Sequence, residues 1–203
     1  MSIMKCKYFP LVVFSFLFCF ACGDGGQTIY NPKPRSYPKI EFPTKDFTQV
    51  NSEVCPFTFQ RASYANFVRD TLFFNEKPEN DCWFDLFVPS LNGTIHCSYY
   101  EINKENSLDK LITDAHTLSN KHGIKAEFID DFVVSKPNRV FGNVMNIEGD
   151  VATPFQFYLT DSTRHFLRGS LCVRSKVNKD SLAPVYEFLK ADAMHMINTF
   201  EWR

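Results

Sequence analysis

The sequence predicts an α+β domain, a mostly antiparallel sheet with helices packed against it. Three observations carry this prediction. Several short stretches alternate apolar and polar residues at the period of a half-buried strand. Two pairs of these are separated only by turn-forming residues, as hairpins are. Two longer stretches repeat apolar residues at i, i+3, i+4 and i+7, the stripe of an amphipathic helix. Strands that pair through hairpins make antiparallel sheets, and helices set apart from them make an α+β arrangement. No internal repeat and no heptad is visible.

The first residues stand outside that domain. Lys5 and Lys7 precede an uncharged apolar run over residues 8–21. About 20 apolar residues are needed to span a bilayer, so the run reads as a secretory signal and not as a permanent helix. Phe20-Ala21-Cys22-Gly23 then resembles a bacterial lipobox, with Cys19 where that pattern usually carries Leu. The expectation is cleavage before Cys22, acylation of its thiol, and a flexible tether beginning Gly23-Asp24-Gly25-Gly26. Each buried methylene of an acyl chain contributes about 0.8 kcal/mol, so two or more chains hold a protein at a membrane. The expected divisions are a signal peptide over residues 1–21, a lipid-anchored linker over 22–36 and one α+β domain over 37–203.

Composition narrows the partners. The 203 residues carry 22 basic and 23 acidic side chains, a net charge of −1 with no basic cluster. That balance excludes a nucleic-acid backbone as a partner. Phe is abundant, with 22 copies, which points to an aromatic core.

Residues 27–43 are crowded with proline, which removes an N–H donor and extends its predecessor, so a linker leads into an edge strand at 37–42. Cys55, Phe57 and Phe59 alternate with Thr58 and Gln60 over a strand at 55–61, and residues 67–81 read as a loop. Strands at 82–88 and 94–100 flank Asn92-Gly93, whose residues tolerate the positive φ of a hairpin turn. The Asn92-Gly93-Thr94 sequon reads as that turn. Residues 107–122 form a helix capped by Asn106 or Ser107 and stopped by Gly123, with Leu108, Leu111, Ile112, Ala115, Leu118 and Ser119 on one face. Short strands follow at 124–129 and 139–147. A second hairpin joins 154–160 to 165–173 through Asp161-Ser162-Thr163-Arg164. Residues 182–200 form the last helix, capped by Asp180 or Ser181, with Val185, Phe188, Leu189, Ala193, Met196 and Phe200 inward. The order of elements resembles the PsbP-like sandwich.

Exported chains meet an oxidising compartment, so a disulfide is expected among Cys55, Cys82, Cys97 and Cys172. Four cysteines allow three full pairings, and spacing does not choose among them. The hairpin sets Cys82 and Cys97 off register; Cys55–Cys82 is favoured, with Cys97 and Cys172 left as buried thiols. No CxxC occurs and no cysteine lies near a histidine at metal spacing, so neither a metal nor a cofactor is expected. His116 and His122 sit roughly 240° apart around their helix and share no face. His96 and His195 read as single structural histidines.

Asp161, Ser162 and His165 have the residue types of a hydrolytic triad. They crowd one turn, where Asp and Ser bond nearby backbone N–H groups, and no GxSxG elbow is present. No catalytic residue is assigned and no small-molecule substrate is expected. The second hairpin offers a different candidate. If Phe155, Phe157 and Leu159 share a face with Leu167 and Leu171, then Gln156, Tyr158, Arg168 and Ser170 share the other, with Arg164 and His165 at the tip. Gln156, Tyr158, Arg164, His165 and Arg168 are the candidate partner-binding residues. The same face can instead lie under a helix or stay solvated.

The hairpin also carries a likeness. Gln156-Phe157-Tyr158-Leu159-Thr160-Asp161-Ser162 followed by His165-Phe166-Leu167-Arg168-Gly169 resembles the gliding-motility lipoprotein GldD family of Bacteroidetes. Cys55-Pro56-Phe57-Thr58-Phe59, Cys82-Trp83, Ile95-His96, Lys121-His122, Asp180-Ser181-Leu182 and Thr199-Phe200 support it across nearly the whole chain after Cys22. Cys97 and Cys172 depart from the family, which leaves Cys55 and Cys82 as the matching pair. The resemblance implies a lipoprotein of the cell envelope, anchored at the outer membrane and facing the periplasm. It implies partners in the gliding and type IX secretion machinery and no known catalytic residues. It also suggests O-glycosylation at Asp70-Thr71-Leu72, Asp161-Ser162-Thr163 and Asp180-Ser181-Leu182. The expected function is a noncatalytic accessory or assembly component of that machinery. A second reading is a cell-wall or glycan-binding module using Trp83, Tyr99 or Tyr158, and a third is an envelope hydrolase at Asp161.

Overall fold

The computed structural model describes residues 39–51, 53–69, 78–121, 126–175 and 179–203. Along them run β1 (Phe47–Asn51), β2 (Phe57–Ala62), β3 (Asn66–Arg69), β4 (Phe84–Val88), β5 (Gly93–Glu101), α1 (Leu108–Asn120), β6 (Ala126–Lys136), β7 (Val140–Gly149), β8 (Phe155–Thr160), β9 (His165–Val173), α2 (Lys179–Thr199) and β10 (Glu201–Trp202). The strands form a seven-stranded sheet, ordered β3-β4-β5-β9-β8-β7-β6, and a three-stranded sheet, ordered β1-β2-β10. All the pairings are antiparallel. The domain is α+β, as its alternating segments and two amphipathic stretches require.

Alternation decides which side each strand buries. Phe84, Leu86 and Val88 of β4 and Ile95, Cys97 and Tyr99 of β5 turn to one face and are buried there. Their connection is a 3-10 turn over Pro89–Leu91 closed by Asn92 at φ 50°, and Asn accepts that left-handed region at low cost. Gly93 therefore does not make the turn. It opens β5 opposite Val88, and a Cβ there would strike Leu189 of α2.

α1 begins where the Ser107 hydroxyl accepts from the Lys110 N–H at 3.4 Å, and it buries Leu111, Ala115 and Ser119. α2 begins at Lys179, which puts Asp180 and Ser181 inside its first turn and not ahead of it. Val185, Leu189, Ala193, Met196 and Ile197 are its buried stripe. Its C-terminal carbonyls would be orphaned without a partner. Lys136 of β6 supplies one, its Nζ donating to the carbonyls of Ile197, Asn198 and Phe200 at 2.9, 2.7 and 3.0 Å.

The main core lies between one face of the large sheet and a layer made of α2 and the small sheet. Phe59 stacks on Phe84 at 5.4 Å and Phe57 on Phe200 at 5.6 Å. Each fully buried side chain of this size contributes roughly 1.5–3 kcal/mol. Cys55 and Cys82 form a disulfide with Cα atoms 5.6 Å apart, tying the approach to β2 to that of β4. On the opposite face of the large sheet, α1 lays Leu111 and Ala115 on Met145, Tyr158 and Phe166.

Four expectations are corrected. Residues 39–46 form no strand, and the first strand is β1; Pro43 among them has no N–H to give a ladder. The stretch from Asn66 to Arg69 is a strand paired with β4 and not the start of a loop. β6 continues to Lys136, well past residue 129. Cys172 is only half-buried, although Cys97 is buried.

Candidate functional site

The connection between β8 and β9 is a compact turn organised by one carboxylate. Asp161 Oδ1 accepts from the backbone N–H groups of Thr163, Arg164 and His165 at 2.9, 2.8 and 2.8 Å. Its Oδ2 accepts from the Thr163 hydroxyl at 2.9 Å. Burial by itself raises the carboxyl's pKa. The bonds from Arg164, His165 and Thr163 outweigh it and hold the group well below the usual carboxylate range. Ser162 takes φ 65° beside it. Arg139, entering β7, donates to the Asp161 carbonyl and to the Thr163 hydroxyl.

His165 leaves this turn in the other direction. Its Nδ1 is 2.7 Å from the Tyr99 hydroxyl, and its ring stacks on Trp202 of the small sheet at 5.3 Å. Burial lowers its pKa. Asp161 therefore bonds the His165 backbone and not the imidazole, and among the described residues no base is hydrogen-bonded to the Ser162 hydroxyl. The triad arrangement is absent from this turn.

The candidate partner-binding residues do not form one open face. Across the hairpin Gln156 faces Ser170 and Tyr158 faces Arg168, so these share a side as the alternation predicts. α1 covers that side. Gln156 and Tyr158 are buried, the His116 ring meets Tyr158 edge-on at 6.0 Å, and Arg168 is held toward Gln156 at 3.4 Å. His165 points to the opposite side, and Arg164 stays exposed at the tip. The docking reading of Gln156, Tyr158 and Arg168 is corrected: the apolar stripe of α1 needed a surface and took this one. Trp83, Tyr99 and Tyr158, the aromatics of the glycan-binding reading, are buried too, with the Trp83 indole donating to the Tyr99 carbonyl at 2.8 Å. Cys22 lies outside the described residues.

Residues 27–202 match the family model described as gliding motility lipoprotein GldD. The chain belongs to that family. No curated protein matches it. Among solved structures it is similar to cyanobacterial PsbP (CyanoP) from Synechocystis sp. PCC 6803, at 11% identity and TM-score 0.45, covering 83% of this chain and 98% of that one. It is also similar to the Ran-binding protein Mog1p of Saccharomyces cerevisiae, at 11% identity and TM-score 0.45, covering 78% and 96%.

Two features of this GldD-family domain escaped the sequence. The first is a groove of about 480 Å³ between β6, β7 and α2, lined by Phe132, Val134, Val144, Phe155, Met194 and Ile197. Beside it Val133 is 86% exposed and Phe132 57% exposed on the outermost strand of the large sheet. The second is a cluster on the outer face of β4, β5 and β9. His96 Nδ1 lies 2.7 Å from Asp85 Oδ1, and Cys172 of β9 stands diagonally across from it, opposite Thr94. The hydrogen bond to Asp85, then that to Cys172, pushes the His96 pKa up to about 9 against the opposing effect of burial. Register within the hairpin could have paired Asp85 with His96. Cys172 arrives from 76 positions further along, through a β5–β9 pairing that no local pattern announces. Among the described residues, no three His, Cys, Asp or Glu are placed to hold a metal ion, and no helix is long and apolar enough to cross a membrane.

Proposed function

We propose that this chain is a noncatalytic lipoprotein, held at the outer membrane by acylated Cys22 and facing the periplasm, where it assists assembly of the gliding and type IX secretion machinery. The observation that carries the reading is the family match over residues 27–202. Two structural features support it. Asp161 and His165, with Ser162 the residue types closest to a reaction centre in the family-like hairpin, hold a turn and pack the large sheet on the small one. Apolar side chains left exposed on β6, Phe128, Phe132 and Val133, suit a protein that works by contact.

The test is genetic and biochemical. Deleting the gene abolishes spreading over surfaces and lowers secretion of cargo into the medium, and the wild-type gene restores both. Cys22→Ala moves the processed protein out of the membrane fraction and reproduces the deletion. Normal spreading and secretion in the deletion strain would overturn the assembly role. Continued membrane partition of processed Cys22→Ala would overturn the anchor.

A further inference from the structure

β6 is the outermost strand of the large sheet, eleven residues with β7 on one side and no strand on the other among the described residues. A free strand edge is a row of donors and acceptors open to another chain, and proteins blunt such edges with brevity, proline, lysine or bulges. β6 is long and has no proline. Its register irregularity sits at its very start, between Ala126 and Phe128. Its one lysine, Lys136, is held by the C-terminal carbonyls of α2. The strand instead carries Phe128-Ile129-Asp130-Asp131-Phe132-Val133, an acidic pair between two apolar pairs.

Register fixes the side each residue takes. Phe132 stands opposite Val144 and Asp130 opposite Asn146, on the α2 side where Val144 joins the main core. Asp131 stands opposite Met145 and Val133 opposite Asn143, on the α1 side where Met145 packs. By the same alternation Phe128 falls with Phe132, and Ile129 with Val133. Each side thus presents one carboxylate between two apolar side chains, and Phe128, Phe132 and Val133 are exposed. A helix laid on the sheet covers one side, whereas a strand added at the edge meets both. Among the described residues neither Asp130 nor Asp131 forms an ion pair. Glu148, opposite Phe128, and Lys190, which lines the groove, are of opposite sign, so the acidic pair sets the charge of the edge.

We propose that the edge of β6 receives, as a further strand, an extended segment of another polypeptide with two basic residues between apolar pairs. This deepens the contact role proposed above and rests on it. Main-chain hydrogen bonds provide the affinity, and side chains on alternate sides provide the choice of partner. Each Lys or Arg of the segment faces a carboxylate, and its apolar residues face Phe128, Ile129, Phe132 and Val133. A second copy does not fit. Two β6 strands paired antiparallel about the middle of this stretch set Asp130 or Asp131 directly opposite itself, and like charges so placed are destabilising. The acidic pair therefore turns away the protein's own edge and selects a basic one.

Two fluorescently labelled peptides probe the edge: Thr-Val-Val-Lys-Lys-Val-Val-Thr, and the same sequence with Glu-Glu at its centre. Full-length protein in mild detergent is titrated with each and followed by anisotropy. The Lys peptide binds saturably and the Glu peptide roughly tenfold more weakly, the size expected when two cross-strand charge pairs turn from attractive to repulsive. The Asp130→Lys/Asp131→Lys double variant reverses that order. Amide exchange read by mass spectrometry slows over residues 126–136 when the Lys peptide is bound. N-methylation of every second peptide residue, in one of its two phases, abolishes binding. No saturable binding, equal binding of the two peptides, or binding without slower exchange in β6 overturns the proposal. So does a wild-type protein that sediments as a dimer with β6 already protected, which gives the edge to a second copy. If the double variant does not fold, the peptide comparison on the wild-type protein decides by itself. Its failure is distinct from failure of the assembly role, which is read from spreading of the deletion strain.

Discussion

Phe157 of β8 lies over Gly169 of β9, its ring filling the space that a side chain at Gly169 would need. The two residues are register partners, and Phe157 is fully buried in the main core. A Cβ at position 169 would meet the ring edge before any backbone atom. Neither residue can change alone, since the ring has no second place to go in a close-packed interior. Gly169→Ala therefore destabilises the domain by about 1–3 kcal/mol, the usual cost of overpacking a filled site. Urea denaturation followed by fluorescence measures it. Gly169→Ala with Phe157→Leu recovers part of the loss, because the shorter side chain clears the added methyl.

Asp192 of α2 is buried, at 6% exposure, yet carries a carboxylate. It is matched from outside its helix: the Lys45 ammonium meets Oδ1, and the Tyr64 hydroxyl donates to Oδ2 at 2.7 Å. Lys45 also donates to the Phe188 carbonyl and sits 4.0 Å over the Phe188 ring. Burial, then the bond to Asp192, raises the pKa of Tyr64 far above its ordinary value. Asp192→Ala strands the tyrosine and the lysine together and costs about 1–3 kcal/mol. Chemical denaturation of Asp192→Ala, Lys45→Met and the double variant checks this, and the double variant loses less than the sum of the singles.

The turn at Asp161 has an acid signature. Its carboxyl pKa in the folded chain is below the ordinary 3.8, so folding favours the ionised form. The stability this provides is fully present above about pH 4 and fades as the pH falls below it toward the folded pKa. Asp161→Asn removes that acid limb from the stability profile and leaves three backbone N–H groups sharing a weaker acceptor. Thermal melts between pH 2 and pH 7, compared for the two proteins, show converging transition temperatures at the acid end.

Much of this fold was legible because the residues of β4, β5, β8 and β9 that face the main core are apolar at every second position, which writes a period of two into the chain. β6 was cut short because it lacks that period. Its residues are exposed or half-buried on both sides, as befits an outermost strand, and Phe132-Val133-Val134 breaks the alternation that would have marked it. β1 and β3 were missed for their brevity, five and four residues. Alternation alone puts Gln156, Tyr158, Arg168 and Ser170 on one side of the β8–β9 hairpin, but whether α1 covers that side depends on packing between segments some 50 positions apart. The Asp85–His96–Cys172 cluster was hidden for the same reason. Sequence periodicity tells which residues share a strand face, and only the sheet order tells which strands are neighbours.

His96 gives the domain a pH dependence of opposite sign to that of Asp161. Its pKa rises on folding from 6.5 to about 9, through the hydrogen bonds to Asp85 and Cys172. Folding thus favours the protonated ring. The stabilisation is complete below about pH 6.5 and is lost progressively as the pH climbs through about 9. The side chain is 39% exposed, so solvent and salt screen the Asp85 contact, and its effect shrinks at high ionic strength. The midpoint of urea denaturation falls between pH 6.5 and pH 9 in the wild-type protein. In His96→Gln the midpoint is lower at pH 6.5 and changes less over that interval, because no proton is left to lose at this site. A His96→Gln profile parallel to wild type would show that the ring keeps its proton no more tightly folded than unfolded.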